Sequence, residues 1–223
     1  MLRRLAAGLR AMAEYPNPDV MNERLWTGAA GVGTTAGVAV TAENALSLDV
    51  VQCCLDNLAG PLSTLPWGVF ERISDDERRP APDHPLSKVL RKPNEYQTRQ
   101  EFRDEQQRHL GYYRNFYCEI QPGPDNAPIG ALMPIHPKRF VKVEVQGDRR
   151  VYTFKNANGT GQISYRDDQI WHVRKAPLTD DGMLGKPVYD TGKEVIGRAL
   201  AVKNYGSRWF VNSGKSGGIL EHP

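Results

Sequence analysis

The chain has 223 residues, 39% of them hydrophobic, with a formal charge of +3 and a mean hydropathy of −0.55. That length allows a sizeable core, as one large domain or a few sub-domains. No apolar run reaches the roughly 18 residues of a membrane-crossing helix, and so small a charge does not by itself argue for nucleic acid. Three cysteines, Cys53, Cys54 and Cys118, fit neither a disulfide framework nor a zinc site with spaced pairs. The expectation is reduced, buried thiols in a cytosolic protein.

The opening "MLRRLAAGLRAMAEY" is basic and apolar, but Arg10 interrupts a run too short for a secretion signal. "TGAAGVGTTAGVAVT" has few large side chains, so residues 1–40 read as a flexible N-terminal arm. Its "GAAGVG" lacks the preceding strand that a dinucleotide fingerprint requires. Thr41 is an N-cap candidate for a helix in which Leu48, Val51, Cys54 or Leu55, and Leu58 recur at helical spacing, with Gly60-Pro61 able to kink or end it. "LPWGVFERI" reads as a strand and "SDDERRPAPD" as a charged loop. Pro85 opens a short helix that Pro93-Asn94 breaks. Thr98 and Glu101 form a capping box for a second helix, which places Phe102 and Leu110 on its inner side, turns its charges to water and stops at Gly111.

"NFYCEIQ" then begins a β-rich region continued by "IGALMPI", "FVKVEVQ", "RRVYTFKN" and "QIWHVRK", split by turn sequences. From about 187 to 212 a long helix carries Val195, Ala199, Val202, Gly206 and Trp209 as one packed stripe. Lys193 and Arg208 read as solvated charges bordering that face.

Catalytic patterns are missing: H-E-x-x-H and G-x-S-x-G do not occur. His84, His136 and His222 precede prolines and shape turns; His172 on a strand reads as structural. Asp167-Asp168 and Asp180-Asp181 read as solvated turns, and the aromatics of "GYYRNFY" as core. Gly214-Lys215-Ser216 ends like a phosphate loop, but position 209 is tryptophan where that loop needs glycine, and a helix runs into it. It reads as a helix stop.

The order of segments says more than any single site. "ENALSLDVVQCCLDNLAGPLSTLPWGVF", "HPLSKVLRKPNEYQTRQEFRD", "RNFYCEIQ" with "IGALMPIHPKRFVKV", and "DQIWHVR" with "GMLGKPVYDTGKEVIGRALAVKNYGSRWFVNSGKSGGIL" run collinearly from about 41 to 220. This series resembles the portal proteins of long-tailed bacteriophages. Departures are Arg114-Asn115-Phe116 where the family has Gly-Asn-small, and Lys186-Pro187 where it has Ser-Pro.

The resemblance implies an α+β fold: a wing domain of helices and antiparallel sheet (41–184), a stem helix (185–214) and the start of a clip (215–223). Portals usually continue well past this point, so it also implies an N-terminal part or a short member. It implies a ring, commonly of twelve subunits, at one capsid vertex of the virion, assembled in the bacterial cytoplasm. Double-stranded DNA would pass through that ring without sequence preference. The partners would be the ring itself, major capsid protein, terminase and a head-tail adaptor, with no membrane, no cofactor, no metal and no catalytic site. Lys193, Lys203, Arg208 and Lys215 become candidates for facing DNA or a neighbouring stem. Two other readings stand beside it: a cytosolic α/β enzyme acting on a phosphorylated substrate, and a monomeric nucleic-acid module.

Overall fold

The computed structural model describes residues 33–124 and 129–211. In chain order the elements are α1 (Ala42–Leu46), α2 (Asp49–Thr64), β1 (Phe70–Arg72), β2 (Arg78–Pro80), α3 (Pro85–Arg91), α4 (Arg99–Tyr112), β3 (Asn115–Gln121) and β4 (Ala131–Ile135). A 3-10 turn (Pro137–Arg139) leads to β5 (Phe140–Gln146), β6 (Arg149–Lys155), β7 (Gln162–Arg166), β8 (Ile170–Arg174), α5 (Val188–Thr191) and α6 (Lys193–Val211). They form two compact units. One is Val50–Thr191; the other joins the described residues up to Asp49 with those from Gly192. Among the described residues, no helix is long and apolar enough to cross a membrane.

Local chemistry sets the helix starts. Thr41 accepts from Asn44 N at 3.2 Å while Asn44 Oδ1 accepts from Thr41 N at 2.7 Å, a reciprocal cap. The single helix expected from Thr41 is in fact two, because Ser47 ends the first, its hydroxyl donating to Asn44 O at 2.7 Å. In α2 the buried side is Leu55, Ala59 and Ser63, which leaves Leu58 38% exposed. Cys53 and Cys54 are therefore exposed rather than buried, and only Cys118 is buried. Gly60-Pro61 does not end α2. The hydroxyls of Ser63 and Thr64 donate to Gly60 O and Pro61 O, giving partners to carbonyls in the last turn.

The expected charged loop contains β2, which pairs antiparallel with β1. At Thr98 the capping box forms as expected, with Glu101 Oε2 accepting from Thr98 N at 2.7 Å. Phe102 is buried, but so are Arg103, Gln106 and His109 on the same helix. Arg103 departs from the charges-outward expectation because its guanidinium lies 4.5 Å from the Trp67 ring centroid and donates to Leu65 O. A planar, weakly hydrated cation is suited to such stacking. Gly111 is not the helix stop. It lets α2 approach, since a Cβ there would lie 3.0 Å from Leu55.

Two three-stranded antiparallel sheets follow, ordered β4-β3-β8 and β5-β6-β7. Strand β3 is central and alternates strictly. Phe116 and Cys118 join Val89, Phe102 and Leu132 in one core, and Tyr117 joins Ile135, Tyr152, Phe154 and Ile170 in another. Burial on both faces explains its unbroken buried run from Asn115 to Cys118. The aromatics at 112, 113, 116 and 117 are core, as expected. Strand β7, "QISYR", escaped sequence reading because it is short, polar and largely exposed.

Between α4 and β3, Arg114 holds φ +56, the left-handed region. Its side chain donates to Ala176 O, and its Nε is buried without a partner. Arg114→Gly and Arg114→Ala both lose that contact, but only glycine relieves the backbone. Arg114→Gly should therefore be the more stable by about 1 kcal/mol in urea unfolding. Equal midpoints would mean the left-handed geometry costs nothing here.

Candidate assembly surface on the long helix

Helix α6 is anchored on one side. Glu194 in its first turn accepts from Thr35 Oγ1 at 2.7 Å and from Thr35 N at 3.2 Å. Those bonds hold the Glu194 carboxyl below its ordinary pKa. Gly197 packs on Thr34, where an added Cβ would fall 2.5 Å from Thr34 Oγ1. Ile196, Gly197 and Leu200 are the buried positions of the helix. The segment from Thr34 to Val40 thus takes part in packing, with Thr34 1% and Val40 3% exposed.

The stripe expected to be packed is not the one that packs here. Val195 is 66%, Val202 72% and Trp209 44% exposed. At about 100° per residue these three lie within about 40° of one another and about 160° from Leu200. Tyr205 and Phe210 add 70% and 81% exposed aromatics near the same end. A helix apolar on two opposite sides, with one side bare, calls for a partner.

The predicted basic residues are placed as follows. Lys203 Nζ donates to Ser47 O at 2.7 Å and lies 3.3 Å from Ser47 Oγ, tying α6 to the end of α1. Lys193 is half-buried in the first turn, and Arg208 is exposed. Lys215 and the Gly-Lys-Ser turn lie outside the described residues, as do His222, most of the expected arm and the expected clip. Arg198, which sequence reading passed over, is exposed and sits with Tyr205 and Arg208 at i, i+7 and i+10. That spacing sets Arg198 and Tyr205 within about 40° of Trp209 at the edge of the bare stripe, and Arg208 about 100° from Trp209, toward the Gly197 side. The same spacing was readable in the sequence, but nothing there marked which side was solvent.

Elsewhere the titratable groups serve the fold. His84 and His136 cap their helices through Nδ1, accepting from Leu86 N at 3.2 Å and Lys138 N at 3.1 Å. His172 stacks on Tyr117 and bonds both Tyr152 and Asn115; burial brings its pKa down to about 4, helped by Arg174 and Arg150. Asp168 pairs with Arg149 at 2.9 Å and Asp180 with Lys186 at 3.0 Å. Asp181 accepts from Met183 N at 2.9 Å. No group of three or more metal-ligating side chains occurs among the described residues.

What these features define is a mixed α+β protein whose long helix carries an exposed apolar stripe. The sequence profile of the phage portal protein family matches residues 49–223, and the chain belongs to that family. It is 27% identical over 182 residues to the portal protein of Enterobacteria phage HK97, covering 80% of this chain and 41% of that protein. Among solved structures, it resembles chains of gene transfer agent particles. A chain from the neck of the empty particle, computed with C6 symmetry, matches at TM-score 0.56 and 19% identity, covering 79% of this chain and 48% of that one. A chain of the native virion matches at 0.57 and 16%, covering 81% and 46%. A chain from the native neck, computed with C12 symmetry, matches at 0.51 and 16%, covering 96% and 51%. The chain spans less than half the length of the curated relative it matches.

Proposed function

We propose that the protein is a structural subunit of a head-tail connector: a ring at one capsid vertex through which double-stranded DNA is packaged and ejected. Val50–Thr191 is then wing, contacting capsid and neighbours. Helix α6 is stem, and the residues beyond it lead into the clip. Terminase and a tail adaptor dock on the ring, and ATP hydrolysis belongs to the motor rather than to this chain. The observation that carries the reading is the bare stripe of Val195, Val202 and Trp209. In a family whose solved relatives include a neck computed with C12 symmetry, the natural cover for such a stripe is the next copy.

Arg198 and Arg208, both exposed, are the better candidates on α6 for facing DNA, because the ammonium of Lys203 is engaged by Ser47. Few cations repeated by symmetry attract a sliding duplex without gripping it, since each neutralised phosphate adds affinity. The test is native mass spectrometry with negative-stain images of the full-length protein, unsubstituted and as Arg198→Glu with Arg208→Glu. Closed rings with a central hole are expected from both, with DNA retention reduced in the variant. A strict monomer at high concentration would sink the ring. Intact rings that retain DNA normally would take those two arginines off the DNA.

A further inference from the structure

Three cavities share walls along Val50–Thr191. The first, about 420 Å³, is apolar, lined by Trp67, Leu86, Leu90, Ile120, Ile129 and Trp171 among others. The second, about 180 Å³, shares Trp67 and Leu90 with it and adds Phe70, Pro80 and Arg91. The third, about 620 Å³, begins at Arg91 and carries Lys92, Arg99, Tyr96 and one carboxylate, Glu95. Together they make a groove that is apolar at one end and basic at the other. Asn94 builds the basic end: its Oδ1 accepts from Tyr96 N at 3.0 Å and Gln97 N at 2.8 Å, and its Nδ2 donates to Leu132 O at 3.0 Å. That turn displays Tyr96 at 81% exposure.

The tip of the β1–β2 hairpin has the complementary pattern. Ile73 is 47% exposed and is followed, one residue on, by Asp75-Asp76-Glu77. Asp75 pairs with Arg72 inside the hairpin, which leaves Asp76 and Glu77 as acidic side chains at the tip; with Arg78 at its base, residues 72–78 carry three acidic and two basic groups, a net charge of about −1. Strands of three residues carry that tip about 10 Å from its base. Its own groove is closed to it, because Phe70 and Pro80 at the hairpin base form part of the groove wall and paired strands do not fold back on their base.

We propose that the hairpin tip of one copy seats in this groove of the next, Ile73 toward the Trp67–Leu90 end and Asp76-Glu77 against Arg91, Lys92 and Arg99. Two different patches meeting head to tail form a heterologous contact, the kind that closes a ring by rotation. The inference rests on the ring proposed above and adds a second point of contact far in sequence from α6. Charge complementarity at such a contact selects the correct neighbour and register more than it adds affinity.

The test uses the full-length protein in two charge-reversed forms, a tip variant (Asp76→Lys with Glu77→Lys) and a groove variant (Arg91→Glu with Arg99→Glu). Each alone should lower the yield of rings about tenfold at low salt. Equal mixing should restore rings in which the two forms alternate, readable as equal masses of each in native mass spectra. All four substitutions on one chain should restore them as well. Rescue by mixing also shows that each variant is folded. Unsubstituted protein without rings would sink the ring reading and this contact with it. Unsubstituted rings with variants that assemble normally, or that mixing fails to rescue, would overturn this contact alone. So would a groove variant that keeps its rings and loses only DNA retention, which would assign the groove to a phosphate backbone.

Discussion

Val195→Glu together with Val202→Glu is expected to turn rings of the full-length protein into folded monomers. Both side chains are mostly bare in the single chain, at 66% and 72% exposure, so the monomer loses no packing. Substitutions at such sites change stability by about 0.5 kcal/mol or less, and glutamate is a better helix former than valine. Assembly is where the cost appears. Two unpaired carboxylates per subunit would have to leave water for an apolar contact, at several kcal/mol each. In the ring proposed above the contact recurs between every pair of neighbours, so the penalty would recur with it. Native mass spectra should show monomer in place of rings, while urea midpoints of the monomer stay put. Rings that persist at unchanged yield would mean that the stripe is covered by something other than the next copy.

Asn115→Ala is expected to destabilise Val50–Thr191 more than any surface change, by about 2–9 kcal/mol, from two or three buried groups at about 1–3 kcal/mol each. Asn115 is 6% exposed and fully engaged. Its Nδ2 donates to Tyr113 O at 2.9 Å and Gly185 O at 2.8 Å, and its Oδ1 accepts from Gly185 N at 2.8 Å and faces His172 Nε2 at 3.2 Å. Both carbonyls only accept, so the amide can sit one way round. His172 must then carry its proton on Nε2 and accept from the Tyr152 hydroxyl at 3.3 Å through Nδ1. Burial, which lowers the His172 pKa to about 4, is what keeps that imidazole neutral. Alanine leaves the Gly185 amide and carbonyl without their side-chain partner. A Cβ on Gly185 would lie 2.8 Å from Lys175 O and closer still to Arg114 O. Urea unfolding of the variant checks this. A loss under about 1 kcal/mol would mean that water fills the gap.

Some of this was legible before any fold was known. Thr41 and Thr98 start helices through caps that involve only residues three positions away. "NFYCEIQ" reads as a strand because its aromatic and β-branched residues suit a pleated, packed surface. The order of segments sufficed to expect a portal protein. The hairpin was harder, because β2 is arginine and proline, and only its partner Phe70–Arg72 makes it a strand. Strand β7 escaped for the same reason, as its pairing with β6 outweighs a polar composition.

The long helix separates the two kinds of knowledge most clearly. Periodicity in the sequence was enough to mark Val195, Val202 and Trp209 as one apolar side, because helical geometry alone decides which residues line up. It did not decide what that side touches. Only the tertiary structure, by packing Ile196, Gly197 and Leu200 inward, left the stripe bare and tied Lys203 to Ser47. Local backbone chemistry is written in neighbouring residues. Exposure depends on which distant segment packs over a surface, and here that segment is Thr34 with its neighbours, some 160 residues away in the chain.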